Sequence, residues 1–280
     1  MFSHDLLKGK RILVTGGGTG LGYAMSRRFV ELGATLVICG RRPDVLEQAA
    51  IQLRSEFGSE FGSETSIATI ACDIRDPDAV EAMMQRIGED GPLDVLVNNA
   101  AASFIARTES LSARAADAIL GVTLHGALYC TLAAGKRWIA DHRVGTVLSI
   151  LSTSTVTGRA FTVPSAMAKS ALLAMTRSLA VEWGPKDIRL VAIAPGPFPT
   201  AASSANLNPA GRQSGGHANP LGRNGDPVEL ANLAAYLVSD FASYINGEMI
   251  AIDGGQHLRT SGAEDLLRWS DEQWQQLLKA

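Results

Sequence analysis

The sequence predicts an α/β protein that is a single doubly wound domain on a seven-stranded parallel sheet. Short apolar runs alternate with helix-length amphipathic segments, which is typical of a parallel sheet covered on both faces. A glycine-rich run joins the first apolar run to the first helical segment, which indicates a Rossmann-type fold. The 280 residues suffice for one large α/β domain. We expect this domain to cover residues 1–280, with a substrate flap at about 199–226 and a C-terminal tail at 254–280.

The strands are predicted where short apolar runs stop at glycine or at polar and charged residues. These runs suit strands that are buried on both faces of a parallel sheet. The predicted strands, in order, are residues 11–14, 36–39, 67–72, 95–98, 146–150, 189–194 and 248–252.

The helices are predicted in the amphipathic segments between these runs. Gly33 ends the first helix, and Pro43 lies just before the second. The predicted helices are residues 21–32, 45–53, 77–87, 115–140, 164–183 and 228–238.

Two segments interrupt this alternation. Residues 55–64 contain Glu-Phe-Gly-Ser twice in tandem, and we interpret them as a surface loop inserted by a small duplication. Residues 199–226 are rich in Ala, Ser, Asn, Gly and Pro. A loop that long in a compact domain is usually a binding lid or disordered, and its place after the sixth strand favours a substrate flap.

Composition excludes several classes of partner. The formal net charge of −3 gives no electrostatic basis for binding nucleic acid or an anionic membrane. We see no apolar run long enough to span a bilayer and no signal peptide at the start. Cys39, Cys72 and Cys130 lack metal-ligand spacing, so we expect reduced core thiols and no metal site. We therefore expect a cytoplasmic protein.

The glycine-rich run is the first candidate site. Glycines allow a tight turn and close approach to a pyrophosphate, and the N-terminus of the following helix offers free N–H groups. Such a run on its own is compatible with an ordinary turn, but its place at the first strand–helix junction favours a dinucleotide site. The candidate cofactor residues here are Gly16, Gly18, Thr19, Gly20 and Leu21.

The second strand ends at Arg41 and Arg42, without the acidic residue that would bind the ribose hydroxyls of NAD. Arginines suit a 2′-phosphate, which they can hold with charge-assisted, forked hydrogen bonds. The alternative is two solvated surface arginines. The position favours NADP(H) as the cofactor.

Further candidates follow the later strands, at the edge of the sheet where ligands of open α/β proteins bind. Asp73 is placed to accept a hydrogen bond from the adenine amino group, and the stiff segment after the sixth strand is suited to fix a nicotinamide ring. The cofactor candidates of these segments are Asp73, Ile74, Asn99, Ala100, Pro195, Gly196, Phe198 and Thr200.

Ser165 and Lys169 stand thirteen and seventeen residues after Ser152, where short-chain dehydrogenases usually carry Tyr-x-x-x-Lys. With the motifs above, the chain resembles the short-chain dehydrogenase/reductase superfamily over nearly its whole length. Within it, the chain is most similar to the NADPH-dependent 2,4-dienoyl-CoA reductases, which also lack this tyrosine. That likeness is carried by residues 98–105, 163–169, 229–237 and 253–274.

The resemblance implies reduction of a conjugated dienoyl thioester in fatty acid metabolism, by a homotetramer that packs through its two long helices. The product of hydride transfer is a dienolate, which needs an oxyanion donor rather than a strong phenolic base. By resemblance, Lys169 binds the nicotinamide ribose and adds positive charge, and Ser165 forms a hydrogen bond near the thioester or the cofactor. Residues matching positions that contact the acyl-CoA substrate are Arg75, Phe104 and Ser112.

The chain departs from that family where the recognised donors stand. Ser154 and Ser103 match a tyrosine and an asparagine of the mitochondrial type, Thr123 matches an aspartate of the peroxisomal type, and Asn206 matches a substrate-gripping arginine. We expect a hydroxyl-lined pocket that positions a water beside an enolate. Its members, the candidate catalytic residues together with Lys169, are Ser103, Ser152, Ser154 and Ser165. A serine-rich stretch is also compatible with a plain polar loop.

Histidine is a common proton donor in enzymes, but His125 lies two residues from the inward helix position of Thr123. At about 100° per residue it points largely away from the site, so we interpret it as a packing or surface residue. Two other functions stay open: reduction of another activated C=C or carbonyl substrate, and a catalytically weakened NADP-binding scaffold or sensor.

Overall fold

Seven parallel strands form one sheet in the order β3-β2-β1-β4-β5-β6-β7 in the computed structural model, which describes residues 3–61, 67–200, 219–259, 266 and 269–277. All seven predicted strands are confirmed, and each observed end lies within one residue of its prediction. The strands are β1 (Arg11–Thr15), β2 (Thr35–Gly40), β3 (Ile67–Ala71), β4 (Val95–Asn98), β5 (Gly145–Ile150), β6 (Ile188–Pro195) and β7 (Met249–Ile252).

Helices connect the strands, and each of the six predicted helices is present. The helices described are α1 (Gly20–Glu31), α2 (Pro43–Phe61), α3 (Pro77–Glu89), α4 (Ala113–Leu120), α5 (Gly126–Ala140), α6 (Ser154–Thr157), α7 (Val163–Trp183), α8 (Pro227–Val238) and α9 (Asp271–Leu277). Single 3₁₀ turns lie at Thr108–Ser110, Gly184–Lys186, Asp240–Ala242 and Gln256–Leu258. The start of α3 follows from local chemistry, because the Asp76 carboxylate accepts from the N–H of Asp78 at 2.9 Å and Pro77 opens the helix.

The core lies on both faces of the sheet. Successive strand residues point to opposite faces, so Ile12 and Val14 of β1 enter one buried cluster while Leu13 enters the other. Helices α1, α2 and α8 cover the first face, and α3, α5 and α7 cover the second. Both faces of each central strand are apolar, which explains why the strands read as continuous apolar runs. The three cysteines are buried and free, as expected.

Helix α2 corrects the loop predicted for residues 55–64. The helix continues through the first Glu-Phe-Gly-Ser copy to Phe61, while residues 62–66 lie outside the described residues. Phe57 is buried against the first core face, and Glu56 accepts a hydrogen bond from Nε of Arg27 on α1 at 2.9 Å. These tertiary contacts hold a helix across residues whose glycine and serine content favours a loop.

The helical segment Ala113–Ala140 starts two residues earlier than predicted and widens into a π-helical turn at Gly121–His125. Among the described residues it also has the length and apolar composition of a membrane span, with a mean hydropathy of 1.5. The expectation that no apolar run reaches that length is therefore wrong. Half of the apolar window is buried inside the protein, where Cys130 and Trp138 pack into the second core face.

The topology fixes where ligands can approach. Strand β1 lies between β2 and β4, so the chain crosses from one half of the sheet to the other at this point, and a crevice opens at the carboxyl ends of β1 and β4. Most of the predicted flap, residues 201–218, lies outside the described residues, as does Asn206. Of the tail, 260–265, 267–268 and 278–280 lie outside them too. The division into domain, flap and tail stays a prediction.

Candidate functional site

A cleft of about 470 Å³ runs along the carboxyl edge of the sheet. The cleft is lined by segments that are far apart in the sequence: the β1–α1 turn, the ends of β2 to β6 and the start of α7. The predicted site residues that line it are Gly16, Gly18, Thr19, Gly20, Leu21, Arg41, Arg42, Asp73, Ile74, Asn99, Ala100, Ser103, Ser152, Ser154, Ser165, Lys169, Pro195 and Thr200.

The glycine turn has no room for side chains. Gly16 has a φ of +67°, and a Cβ on Gly22 would lie 2.2 Å from the Gly16 carbonyl oxygen. Helix α1 begins at Gly20 with no side chain capping it, so its first N–H groups are free to bind a ligand in the cleft. The turn therefore has the backbone shape and the donors of a phosphate cradle.

Asn99 braces this turn. Its Nδ2 donates to the Thr15 carbonyl at 2.9 Å, and the Thr15 hydroxyl accepts from the N–H of Asn99 at 3.0 Å and of Ala100 at 3.1 Å. The side chain predicted to pack along the adenosine ribose is thus already engaged in joining β4 to β1. Asn99 lines the cleft and also fixes the shape of the glycine turn.

One end of the cleft is positively charged. Arg41 and Arg42 are exposed and form no ion pair with any described carboxylate. Asp73 is the one acidic residue among the described residues that line the cleft, and Arg75 donates to it through Nε at 2.9 Å. This hydrogen bond, with Arg41 as a weaker influence, lowers the pKa of Asp73. The two arginines are therefore available for an anionic ligand.

Lys169 lies at the other end, on α7. Its side chain is buried, and Nζ donates to the Ile150 carbonyl at the end of β5. No carboxylate among the described residues pairs with it, and burial lowers its pKa from 10.5 to about 8. The remaining N–H groups of the ammonium are free to donate to a ligand in the cleft.

Serine hydroxyl groups line the same end of the cleft as Lys169. Ser152 Oγ accepts from the Ser154 hydroxyl at 3.1 Å and from the Ser154 N–H at 3.3 Å, so the Ser152 proton is free to donate. Ser165 forms no hydrogen bond with the described residues and lines the cleft. Thr123 is buried and bonded to the Ala102 backbone, which removes it from the set of donors.

Several predicted residues do not line the cleft. Gly196 packs against Asp253, and Phe198 is buried in the first core face. Arg75 is turned toward Asp73, Ser112 caps α4 by accepting from the Ala115 N–H, and Phe104 is exposed on the surface. The substrate contacts proposed for these last three residues stay predictions. His125 is exposed beside Tyr129, which confirms it as a surface residue.

Sequence reasoning missed Arg159, which lines the cleft with Thr162, Val122 and Leu151. One signal was available: Arg159 is the one charged residue between β5 and Lys169. A charged residue in an otherwise uncharged stretch between two predicted site segments indicates a ligand-binding position. The apolar lining residues carry no comparable signal, because their composition does not differ from that of core residues.

Burial of Lys169 makes stability depend on pH. Because the folded-state pKa is about 8 and the reference value is 10.5, the unfolded chain binds more protons between these pH values. Stability without ligand should therefore rise with pH across this window, by about 3 kcal/mol at most, and the penalty is fully present below it. Denaturant unfolding at several pH values, compared with Lys169→Met, measures the effect. A constant difference between the two proteins from pH ~7 to pH ~10 would contradict the prediction.

The parallel sheet, the glycine cradle at the strand crossover and the buried lysine define a nicotinamide-dinucleotide oxidoreductase. The chain belongs to the short-chain dehydrogenase/reductase family. A family model described as "Enoyl-(Acyl carrier protein) reductase" matches residues 16–257. This match covers the cradle, the lysine and β7.

Known relatives agree with this membership. The chain is 38% identical over 253 residues to a probable 2,4-dienoyl-CoA reductase of Bacillus subtilis, covering 89% of this chain and 97% of the relative. It is 41% identical to an uncharacterized oxidoreductase of Caenorhabditis elegans, covering 96% and 87%. The similarity to dienoyl-CoA reductases stated from the sequence is confirmed.

Solved structures show the same fold. A short chain dehydrogenase from Bacillus anthracis superposes with a TM-score of 0.80 at 39% identity, covering 90% of this chain and 98% of that one. A putative NAD(P) dependent gluconate 5-dehydrogenase from Beutenbergia cavernae, with bound NADP at low occupancy, superposes with a TM-score of 0.83 at 28% identity. It covers 92% of this chain and all of that one. The family thus uses nicotinamide cofactors.

Proposed function

We propose that the protein is an NADPH-dependent reductase that acts on the conjugated double bond of an enoyl- or 2,4-dienoyl-CoA-like thioester. One observation carries the proposal: the end of the cleft that holds Lys169 presents hydroxyl groups and no phenol. The four tyrosines, Tyr23, Tyr129, Tyr236 and Tyr244, all lie among the described residues and none lines the cleft. Carbonyl reduction by proton transfer from a phenol has no donor here.

The residues present suit a reaction that needs oxyanion stabilisation. When bound, the reduced nicotinamide supplies a hydride, and a conjugated thioester that accepts it becomes an enolate. Ser152 and Ser165 carry hydroxyl protons that are free to donate, and Lys169 adds positive charge at the same end of the cleft. The proton that completes the reaction comes from a water held by these hydroxyls. The printed name of the Bacillus subtilis relative supports the same substrate class.

Turnover of NADPH with 2,4-hexadienoyl-CoA tests the proposal. We expect NADPH absorbance to fall with this substrate, a product heavier by two hydrogens, and no reaction with hexanoyl-CoA, which has no conjugated double bond. The panel also includes 2-hexenoyl-CoA and simple ketones and aldehydes. Reduction of carbonyl compounds alone would contradict the proposal, and tight NADPH binding without any turnover would favour a scaffold or sensor.

Replacing Arg41 and Arg42 together with alanine should weaken NADPH binding by about 10- to 100-fold, because charge-assisted hydrogen bonds to the 2′-phosphate are lost. NADH affinity should change little. Calorimetric titration of both cofactors measures the effect, with Arg86→Ala on α3 as the control at another exposed arginine. An equal loss of affinity for NADH and NADPH would show that these arginines do not bind the 2′-phosphate.

We also propose a cytoplasmic homotetramer that packs through α4–α5 and α7. Apolar side chains exposed on these helices support it: Leu132 on α5, and Met167 and Val181 on α7. Sedimentation equilibrium measures the assembly state, and a monomer at micromolar concentration would contradict the proposal.

A further inference from the structure

Arg159 lies in the loop between α6, which begins at Ser154, and α7, which carries Ser165 and Lys169. The Gly158 N–H donates to the Ser154 carbonyl at 3.0 Å, which fixes the residue before Arg159 to α6. On the other side, the Thr162 N–H donates to the Arg159 carbonyl at 3.4 Å, and the Ala166 N–H donates to the Thr162 carbonyl at 3.1 Å. These bonds connect Arg159 to the first turn of α7. Ser165 lies in this turn, and Lys169 lies one turn further along the helix.

A further backbone hydrogen bond fixes the loop formed by residues 158–162. The Ala106 N–H donates to the Phe161 carbonyl at 3.0 Å, which joins the loop to the segment that follows Ser103. The backbone reverses at Gly158 and at Phe161, both with a φ of +66°. A non-glycine residue in that conformation is costly, so the surrounding contacts must define the loop. The fold therefore fixes the backbone of Arg159 at the cleft that the serines also line, and its exposed side chain can reach a ligand there.

The Arg159 guanidinium has no anionic partner among the described residues. At its end of the cleft the other cation is Lys169, which is buried and already donates to the Ile150 carbonyl. Arg41 and Arg42 belong to the opposite end. An arginine stays charged at any accessible pH and presents several donors in a fixed fork, so this end of the cleft favours an anionic oxygen.

We propose that Arg159 binds the thioester oxygen of the substrate and stabilises the enolate that forms there. The inference rests on the proposed reductase function. Hydride addition to the far carbon of the conjugated system moves an electron pair to the thioester oxygen and oxidises NADPH to NADP⁺. A water then protonates carbon, and the hydroxide that remains takes a proton from solvent. Arg159 exchanges no proton in this sequence. It supplies the positive charge that the neutral hydroxyls of Ser152 and Ser165 cannot provide.

The phosphates of CoA also carry anionic oxygens, so they are the alternative ligand for Arg159. The pantetheine arm separates them from the thioester by many bonds, whereas Arg159 lies between the turns that carry Ser154 and Ser165. This placement favours the thioester oxygen. The N-acetylcysteamine thioester of the same acyl group contains no phosphate, so a comparison of the two thioesters distinguishes the sources.

Kinetics of Arg159→Ala test the assignment. We expect kcat to fall about 100-fold with both the CoA and the N-acetylcysteamine thioester, with partial recovery in Arg159→Lys. NADPH affinity should stay unchanged, and Arg86→Ala, on α3, is the control for loss of an exposed arginine. An increase in KM confined to the CoA thioester, or unchanged kinetics with both, would overturn the proposal.

A binding experiment keeps the inference independent of turnover. Acetoacetyl-N-acetylcysteamine forms an enolate with its own ultraviolet absorbance band, and a cleft that stabilises an enolate oxygen strengthens that band at neutral pH. We expect the band with the protein and NADP⁺, and its loss in Arg159→Ala. A band of equal strength in both proteins, or in neither, overturns the role of Arg159. If the band behaves as expected while no dienoyl thioester is reduced, the proposed function fails and the assignment of Arg159 stands.

Discussion

Lys169→Met is expected to lower kcat/KM by about 10³-fold while leaving the fold intact. The substitution removes the buried positive charge at the catalytic end of the cleft and keeps a side chain of similar length. Because burial disfavours the charged form of Lys169, the variant should unfold at an equal or higher denaturant concentration than the wild type at neutral pH. Steady-state kinetics and denaturant unfolding together measure both effects.

Lys186→Met is the matched control, since Lys186 is exposed at the end of α7, away from the cleft. It should retain the activity of the wild type. If Lys169→Met retains most of the activity, or loses activity only by unfolding, then the ammonium has no catalytic part. The positive charge at this end of the cleft would then come from Arg159 alone.

Gly22→Ala is expected to destabilise the protein by about 3 kcal/mol and to weaken NADPH binding by at least about 100-fold. The added Cβ would lie 2.2 Å from the Gly16 carbonyl oxygen and 2.5 Å from Nδ2 of Asn99. Both atoms belong to the turn and its brace, so α1 must move away from β1 or the turn must open. Either change displaces the N–H groups that form the cradle.

Gly88→Ala is the control, because a Cβ there meets no atom within 4 Å. Gly88 lies in α3, where alanine should raise stability by up to about 1 kcal/mol. Denaturant unfolding and calorimetric titration with NADPH measure both variants. Wild-type NADPH affinity in Gly22→Ala would show that the close packing of this turn is not needed for cofactor binding.

Local patterns were enough to predict the sheet. Each strand is an apolar run bounded by polar residues or glycine, and the 3.6-residue period located the helices between them. The start of α3 was predictable because Asp76 and Pro77 form a cap from adjacent residues alone. The glycine turn was predictable for the same reason, since its chemistry depends on a few consecutive residues.

The helical state of residues 55–61 was not predictable, because it depends on Phe57 entering the core and on Arg27 from another helix. The π-helical turn at Gly121–His125 was missed too. The bracing role of Asn99 and the pairing of Asp73 with Arg75 are likewise decided by spatial neighbours.

By itself, the sequence determined the parallel α/β architecture, the glycine cradle and the substitution of serine for tyrosine ahead of Lys169, because these features depend on residues close together in the chain. The tertiary structure decided which charges remain free. It paired Asp73 with Arg75, buried Lys169 against Ile150, and fixed the backbone around Arg159 at the serine-lined cleft through four hydrogen bonds. The physical reason is that the availability of a charged group depends on every element packed around it, and the loops that set those contacts have no periodic pattern to read.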